Sequence, residues 1–185
     1  MLRDYVVETI ETNDGHLIDV GYDSDAPNPR EEYDNFGTMM CRHDRYTLGD
    51  VEPDSRIESF EVLTRYYAGT SGIFLPLYLL DHSGLYLRTY RGSEYMGLDT
   101  SMIGIIFATK EQIIAEYGDD SPDSRAKALD LLYAEVREYG AYLAGETYYF
   151  EIRDVDDDLI DACGGFYDLD ECIAAATAYT ESLED

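Results

Sequence analysis

The residue types of a hydrolase triad stand side by side at Asp81, His82 and Ser83. A Ser–His–Asp relay needs three side chains that meet through space, and adjacent residues cannot fold back on one another in that way. The chain also lacks the Gly-x-Ser-x-Gly elbow of many hydrolases. We therefore interpret this segment as a turn beside a strand, from which His82 could provide one half of a site completed elsewhere.

A second group of chemistry-bearing residues lies between Asn28 and Asp50, in a segment that reads as irregular. Functional residues often lie on such loops, although Asx turns and buried aromatic residues would explain an ordered loop equally well. His43 and His82 are candidate acid–base groups, because imidazole titrates near neutral pH. The arginines that could hold an anion beside them are Arg30, Arg42 and Arg45. One alternative function is thus a small enzyme or ligand-binding protein built on these loops.

Asp154, Asp156 and Asp158 have the spacing of the first three ligands of an EF-hand calcium loop. The match then fails, because Leu159 stands where the loop needs glycine and Gly165 stands where it needs a bidentate glutamate. A solvated acidic turn is the interpretation that the spacing supports.

The cysteines do not have the spacing of a metal site. No Cys-x-x-Cys pair occurs, although Cys41 and His43 could lie on one side of a strand. Cys163 and Cys172 resemble small buried hydrophobic residues. Neither a P-loop nor a dinucleotide-binding fingerprint is present. The sequence therefore predicts no metal and no cofactor, and it favours a non-catalytic role.

Charge is the dominant property of the chain. It carries 40 acidic and 13 basic side chains, for a net charge of -27. Such a field repels nucleic acid and anionic membranes and attracts basic surfaces. No apolar run approaches the roughly 20 residues of a membrane span, and the N-terminus has no apolar signal core. We therefore expect a cytoplasmic protein of a host cell whose partner is a basic protein surface.

Salt adaptation is an alternative explanation of the acidity. Only Lys110 and Lys127 are lysines, and aspartate outnumbers glutamate. This pattern is what we expect of a halophilic protein, since at molar salt the Debye length of about 3 Å screens self-repulsion. The composition alone leaves both explanations open, and it leaves the oligomeric state open as well.

The chain reads as strands followed by mixed strands and helices, without regular βαβ alternation. This order predicts a single α+β domain over residues 1–185, with a mostly antiparallel sheet and three to four helices. The strongest turn signal is Asp14-Gly15, between strands at 5–10 and 16–22. Further strands are predicted at 37–41, 73–80, 85–90, 102–108, 147–152 and 159–163, with an irregular loop at 23–35. Pro76 suggests an edge position or a bulge.

Capping residues mark the helices. A helix is predicted from Ser55 to Ala68, and a short one follows the cap Thr109 with Gln112 as its capping-box partner. The clearest helix runs over 122–143 behind Ser121. Its apolar stripe is Leu129, Leu132, Tyr133, Val136, Gly140 and Leu143. The last helix begins at Asp168.

Several motifs together resemble an uncharacterised family. They are Asp34-Asn35-x-Gly37-Thr38-Met39, His43-x-x-Tyr46-x-Leu48-Gly49-Asp50, the run Leu75 to Gly84 (LPLYLLDHSG), Thr109-Lys110-Glu111 and Gly165-Phe166-Tyr167. Members of this family are common in bacteriophages and other mobile elements. The resemblance extends over roughly residues 28–167 and implies a small accessory gene of a virus or plasmid.

Charge and resemblance together predict an anti-restriction or anti-defence role. In this hypothesis the protein mimics DNA and blocks a host nuclease or another DNA-binding protein. DNA carries one charge per about 1.7 Å of axis, so a mimic needs many spaced carboxylates on one surface. The residues predicted to supply them are Asp119, Asp120, Asp123, Asp130, Glu135, Glu138, Asp154, Asp156, Asp157, Asp158 and Asp161. A viral structural or assembly protein with tyrosine-rich contact surfaces is a third alternative.

Overall fold

The computed structural model describes residues 6–54, 72–90 and 100–183, which contain four helices and eight strands. Every strand pairing is antiparallel, so the predicted α+β class with a mostly antiparallel sheet is confirmed. The strands are β1 Val6–Glu11, β2 Leu17–Tyr22, β3 Thr38–Cys41, β4 Ile73–Asp81, β5 Leu85–Arg88, β6 Thr100–Ala108, β7 Tyr148–Arg153 and β8 Leu159–Phe166. The helices are α1 Pro29–Glu32, α2 Lys110–Tyr117, α3 Pro122–Ala144 and α4 Leu169–Leu183.

The chain divides into two compact units. The first combines residues 1–28 with residues 145–185, and the second consists of residues 29–144. Each unit has its own four-stranded sheet and its own hydrophobic core. The expectation of one domain over residues 1–185 stays a prediction.

The first unit contains the sheet β1-β2-β7-β8. Asp14-Gly15 forms the predicted turn between β1 and β2, and Gly15 has φ +89°, a conformation that glycine adopts without steric cost. β7 pairs with β2 from Leu17 opposite Arg153 to Tyr22 opposite Tyr148. α4 covers one face of this sheet. The buried core is Ile18, Val20, Phe150, Ile152, Cys172 and Ala176.

The second unit contains the sheet β3-β6-β4-β5, against which α3 packs. β6 lies inside this sheet, and four consecutive residues from Ile103 to Ile106 are buried, as expected of a strand covered on both faces. The core also includes Met39, Leu77, Leu132 and Val136.

Caps place the helix boundaries of the second unit. Thr109 and Gln112 form a complete capping box at α2, and Gly118 ends that helix in the left-handed conformation. Ser121 accepts the backbone N–H of Ser124 at the start of α3. Both helix starts are confirmed predictions of local sequence.

Three further expectations concern the loop at 23–35, Pro76 and the helix over Ser55–Ala68. The loop predicted at 23–35 contains the one-turn helix α1, where Pro29 fixes φ at the first helical position. Pro76 lies in an inner strand of the sheet, yet β5 pairs only with Tyr78–Asp81, so Pro76 has a strand partner on one side alone. The bulge that Pro76 suggested as one of two alternatives corresponds to a register shift between β4 and β6 at Leu77/Tyr78. The helix predicted over Ser55–Ala68 lies outside the described residues.

No helix within the described ranges combines the length and the apolar character that crossing a bilayer requires.

Candidate functional site

A buried arginine lies at the centre of the second unit. The side chain of Arg30 is only 2% exposed and binds carboxylates from two other elements. Its Nε donates to Asp50 Oδ1 at 2.9 Å, and its Nη1 donates to Glu135 Oε2 at 2.7 Å. Nη2 donates to the carbonyl of Gly37 at 2.7 Å. Arg30 thus joins α1, the loop after β3 and α3.

The two carboxylates also fix the charge of this arginine. Burial alone would lower the pKa of Arg30, but the hydrogen bonds to Asp50 and Glu135 more than offset that effect and hold its pKa above the ordinary value. The guanidinium of Arg30 is therefore charged in its buried position. The expectation that Arg30 could hold an external anion is wrong, because its donors point to groups of the protein itself.

Glu135 belongs to this cluster and not to an acidic surface. Glu135 is only 7% exposed. Oε1 accepts the backbone N–H of Phe36 at 2.7 Å and that of Gly37 at 3.1 Å. A carboxylate in this position cannot reach a partner, so the predicted place of Glu135 on an outward acidic face is wrong.

The segment 33–37 is held on both sides by these contacts. Asn35 accepts from Arg30 Nη1 at 2.9 Å and donates to the carbonyl of Pro29. On the other side, Gln112 Nε2 donates to the carbonyl of Phe36 at 3.0 Å. Gln112 is the capping-box residue of α2, so the element that starts this helix also fixes the segment beside it.

A groove of about 380 Å³ lies between this segment and α3. Its polar lining includes Asp34, Glu116 and Glu138, which are exposed, together with the buried Glu135. Apolar surface comes from Phe36, Leu131 and Ala134, and the lining is completed by Tyr33 and Asn35. Four of these nine described lining residues are acidic and none is basic. The volume is at the small end of the range of ligand sites, about 300–1,000 Å³.

Acidic residues predicted around the start of α3 are paired locally. Asp120 binds Arg125 at 2.6 Å and Lys110 at 3.4 Å, and Asp123 binds Lys127 at 2.7 Å. The charge of this predicted patch is therefore largely neutralised by neighbouring cations.

Asp119 acts as a capping residue at the same helix start. It accepts the N–H of Ser121 at 3.0 Å and the hydroxyl of Ser124. These hydrogen bonds, the Ser124 hydroxyl first, lower the pKa of Asp119 to about 2.

Along α3, Asp130 and Glu138 are exposed, as predicted. Seven residues separate Asp123 from Asp130, which at 1.5 Å per residue is about 10 Å. That spacing is several times wider than the 1.7 Å per charge of duplex DNA. The helix alone therefore does not reproduce the charge density of a phosphate backbone.

The predicted acidic turn of the first unit is present at the tip of the β7–β8 hairpin. Asp156, Asp157 and Asp158 are exposed. Asp154 instead accepts the backbone N–H groups of Asp156 and Asp158, each at 2.9 Å. Asp161 is half-buried on β8. These residues belong to the first unit, whereas those at 119–138 belong to the second.

An ion pair between Arg45 and Asp81 links the loop that contains His43 to the turn that contains His82. Arg45 pairs with Asp81, at the end of β4, and lies over the ring of Tyr46 at 5.4 Å. His43 stacks on the same ring with 5.0 Å between centroids, and its Nδ1 accepts the N–H of Arg45. His82 is exposed beside Ser83. Arg45 is therefore already bound to a carboxylate, which disfavours its predicted role as an anion-holding residue.

Arg42 is also engaged within the protein, since its Nη2 donates to the carbonyls of Pro53 and Asp54, each at 3.0 Å. No arrangement of three or more His, Cys, Asp or Glu side chains suited to a metal ion occurs among the residues that the structure describes.

The cysteines differ from the sequence interpretation at one position. Cys172 is buried as predicted, but Cys163 is exposed on β8, so its interpretation as a buried residue is wrong. Burial raises the pKa of the Cys41 and Cys172 thiols to about 12.

The groove and the buried cluster were not predicted from the sequence. One usable signal existed, because Glu135 lies three residues after Leu132 and one before Val136, at the edge of the apolar stripe. An acidic residue there needs a buried cation as its partner, and Arg30 follows a helix-starting proline. Comparison of the chain with protein-family models, with curated proteins and with solved structures finds no match.

Proposed function

We propose that this protein binds a basic protein surface and acts by occupying it, without catalysis. The observation that supports this most directly is that most of its described Lys and Arg side chains bind groups of the protein itself. The described ranges contain nine Lys and Arg side chains, and at least seven of them bind a carboxylate or carbonyl of the protein itself. These seven are Arg30, Arg42, Arg45, Lys110, Arg125, Lys127 and Arg153.

Each such ion pair also neutralises one carboxylate, so internal pairing leaves the net charge of -27 unchanged, but it removes cations that could otherwise hold an anionic partner. A field of one sign steers an oppositely charged partner and raises its rate of association. It also rejects DNA, RNA and anionic membranes as direct partners. Basic protein surfaces remain, and such surfaces are characteristic of proteins that bind nucleic acid.

The finer form of this proposal is an accessory protein of a virus or mobile element that mimics DNA to inhibit a host nuclease or another defence protein. It rests on the net charge of -27 and on the motif resemblance. Because the carboxylates on α3 are widely spaced, mimicry would need acidic residues of several elements together.

Affinity capture from the cell that carries the gene tests the proposal. We expect the immobilised protein to retain basic proteins at physiological salt of about 0.15 M and to release them at several times that concentration, because screening shortens the range of the field. A short DNA duplex should displace them if they bind through a nucleic-acid site. Failure to retain any basic protein would refute the proposal, and retention that DNA does not reverse would remove the DNA-mimic form alone.

A further inference from the structure

We propose that the groove between segment 33–37 and α3 is the docking site for a protruding basic segment of a protein partner. This inference rests on the proposed function and adds where the partner binds and what it presents. It does not depend on DNA mimicry, in which the acidic protein itself would enter a groove of its partner. Here the acidic residues line a concave surface, so the complementary partner is a projecting cation.

Charge complementarity identifies the class of occupant. Asp34, Glu116 and Glu138 lie around the groove, and none of the described lining residues is basic. Arg30 binds Glu135 beneath them and partly offsets that one charge. A lysine or arginine entering from solvent would therefore meet an excess of carboxylates.

The apolar part of the lining indicates which side chains of the partner fit the groove. Leu131 and Ala134 of α3 and the ring of Phe36 provide surface that a purely ionic site would not need. Lysine and arginine bury long aliphatic stems on such surface while the charged end stays near water and carboxylates. Tyr33, which is 48% exposed, adds further aromatic surface to the lining. A volume of about 380 Å³ suits one or two such side chains.

The wall of the groove is formed before any partner binds. Phe36 is fixed through its N–H by Glu135 and through its carbonyl by Gln112. Its ring also meets that of Tyr117 edge to face, 6.2 Å between centroids. A preformed wall lowers the ordering cost of binding, which favours recognition of a short segment.

A fluorescence polarisation assay with matched charge variants tests this site. The probe is a labelled peptide of alternating arginine and alanine, and a second peptide carries neutral citrulline in place of arginine. The groove variant is Asp34→Asn with Glu116→Gln. The control is Asp25→Asn with Glu181→Gln, two exposed residues of the other unit that give the same change in net charge.

We expect the groove variant to bind the arginine peptide about tenfold or more weakly, as the loss of charge-assisted contacts requires, and the control to stay within about twofold of the parent. Chemical-shift changes on binding should centre on residues 33–36 and 131–138, and excess citrulline peptide should not compete. Equal weakening in both variants would overturn the docking site but leave the proposed function standing. No binding of the arginine peptide by the parent at physiological salt would overturn both. Unfolding midpoints confirm that each variant is folded.

Discussion

Replacing Glu135 by alanine is expected to destabilise the unit formed by residues 29–144 by about 4 kcal/mol. The substitution leaves the N–H groups of Phe36 and Gly37 without their acceptor, and each buried orphan costs about 1–3 kcal/mol. It also removes one of the two carboxylates that bind Arg30. Breaking a buried ion pair in this way costs about 3–5 kcal/mol. These contributions overlap, because Asp50 still neutralises the guanidinium, so the total is less than their sum.

Urea unfolding followed by circular dichroism measures this cost. For a chain of this size, 1 kcal/mol corresponds to about 2–4 °C in Tm, so a thermal shift of about 8–16 °C is expected. Salt should change the difference little, since buried pairs are screened much less than exposed ones. Glu135→Gln keeps one acceptor oxygen for the segment 36–37 and should cost less than the alanine variant.

Two further variants make the reasoning refutable. Asp130→Ala removes an exposed acidic residue from the same helix and should change stability by about 0.5 kcal/mol or less. Arg30→Met leaves Asp50 and Glu135 without their shared cation and should cost at least as much as Glu135→Ala. A loss below about 1 kcal/mol for Glu135→Ala, or a loss equal to that of Asp130→Ala, would show that the buried cluster does not stabilise the unit.

Two other predictions follow from the titrating groups. Hydrogen bonding lowers the pKa of Asp119 to about 2, so the stability that the Asp119 carboxylate contributes is present above about pH 4 and is lost as pH falls through 2. NMR titration should show a pKa of about 2 for Asp119 in the parent and a higher pKa in Ser124→Ala. An Asp119 pKa that Ser124→Ala leaves unchanged would contradict the assignment. A thiol reagent at pH 8 should modify Cys163 in the native protein and reach Cys41 and Cys172 only in denaturant, because burial raises the pKa of both thiols to about 12. Mass spectrometry identifies the modified cysteines. Fast labelling of Cys41 in the native protein would refute its burial.

Local chemistry explains which elements the sequence could predict. Asp14-Gly15 can adopt the turn between β1 and β2 by itself, and Thr109 with Gln112 satisfies the first N–H groups of α2 within four residues. Such signals need no information from distant parts of the chain. The α+β class followed from the order of these elements.

Pairing between distant strands has no comparable local signal. β2 pairs with β7, which lies more than 120 residues later, so the first unit closes only after most of the chain is made. The order of the strands along the sequence is compatible with one sheet and equally with two. The division into two sheets therefore came from the structure alone.

The buried charge cluster shows why the candidate site was harder to predict. An acidic residue near an apolar stripe is usually solvated, and its burial depends on a partner that the stripe does not contain. Arg30 is that partner, 105 residues away from Glu135. The same contact positions the wall of the groove. The sequence therefore predicts neither the groove nor the cluster, because both depend on this contact between distant residues.

Salt adaptation and partner binding predict different positions for the acidic residues. Adaptation needs hydrated carboxylates on open surface, where molar salt reduces the Debye length to about 3 Å. It gives no reason to gather them in a concavity, because a cleft lined by one sign of charge focuses its field and keeps repulsion high. The exposed hairpin tip at 154–158 fits either explanation. The groove beside α3 does not, because Asp34, Glu116 and Glu138 share it with apolar surface that salt adaptation leaves unexplained. A cationic side chain with an aliphatic stem would neutralise those charges and cover that surface in one step.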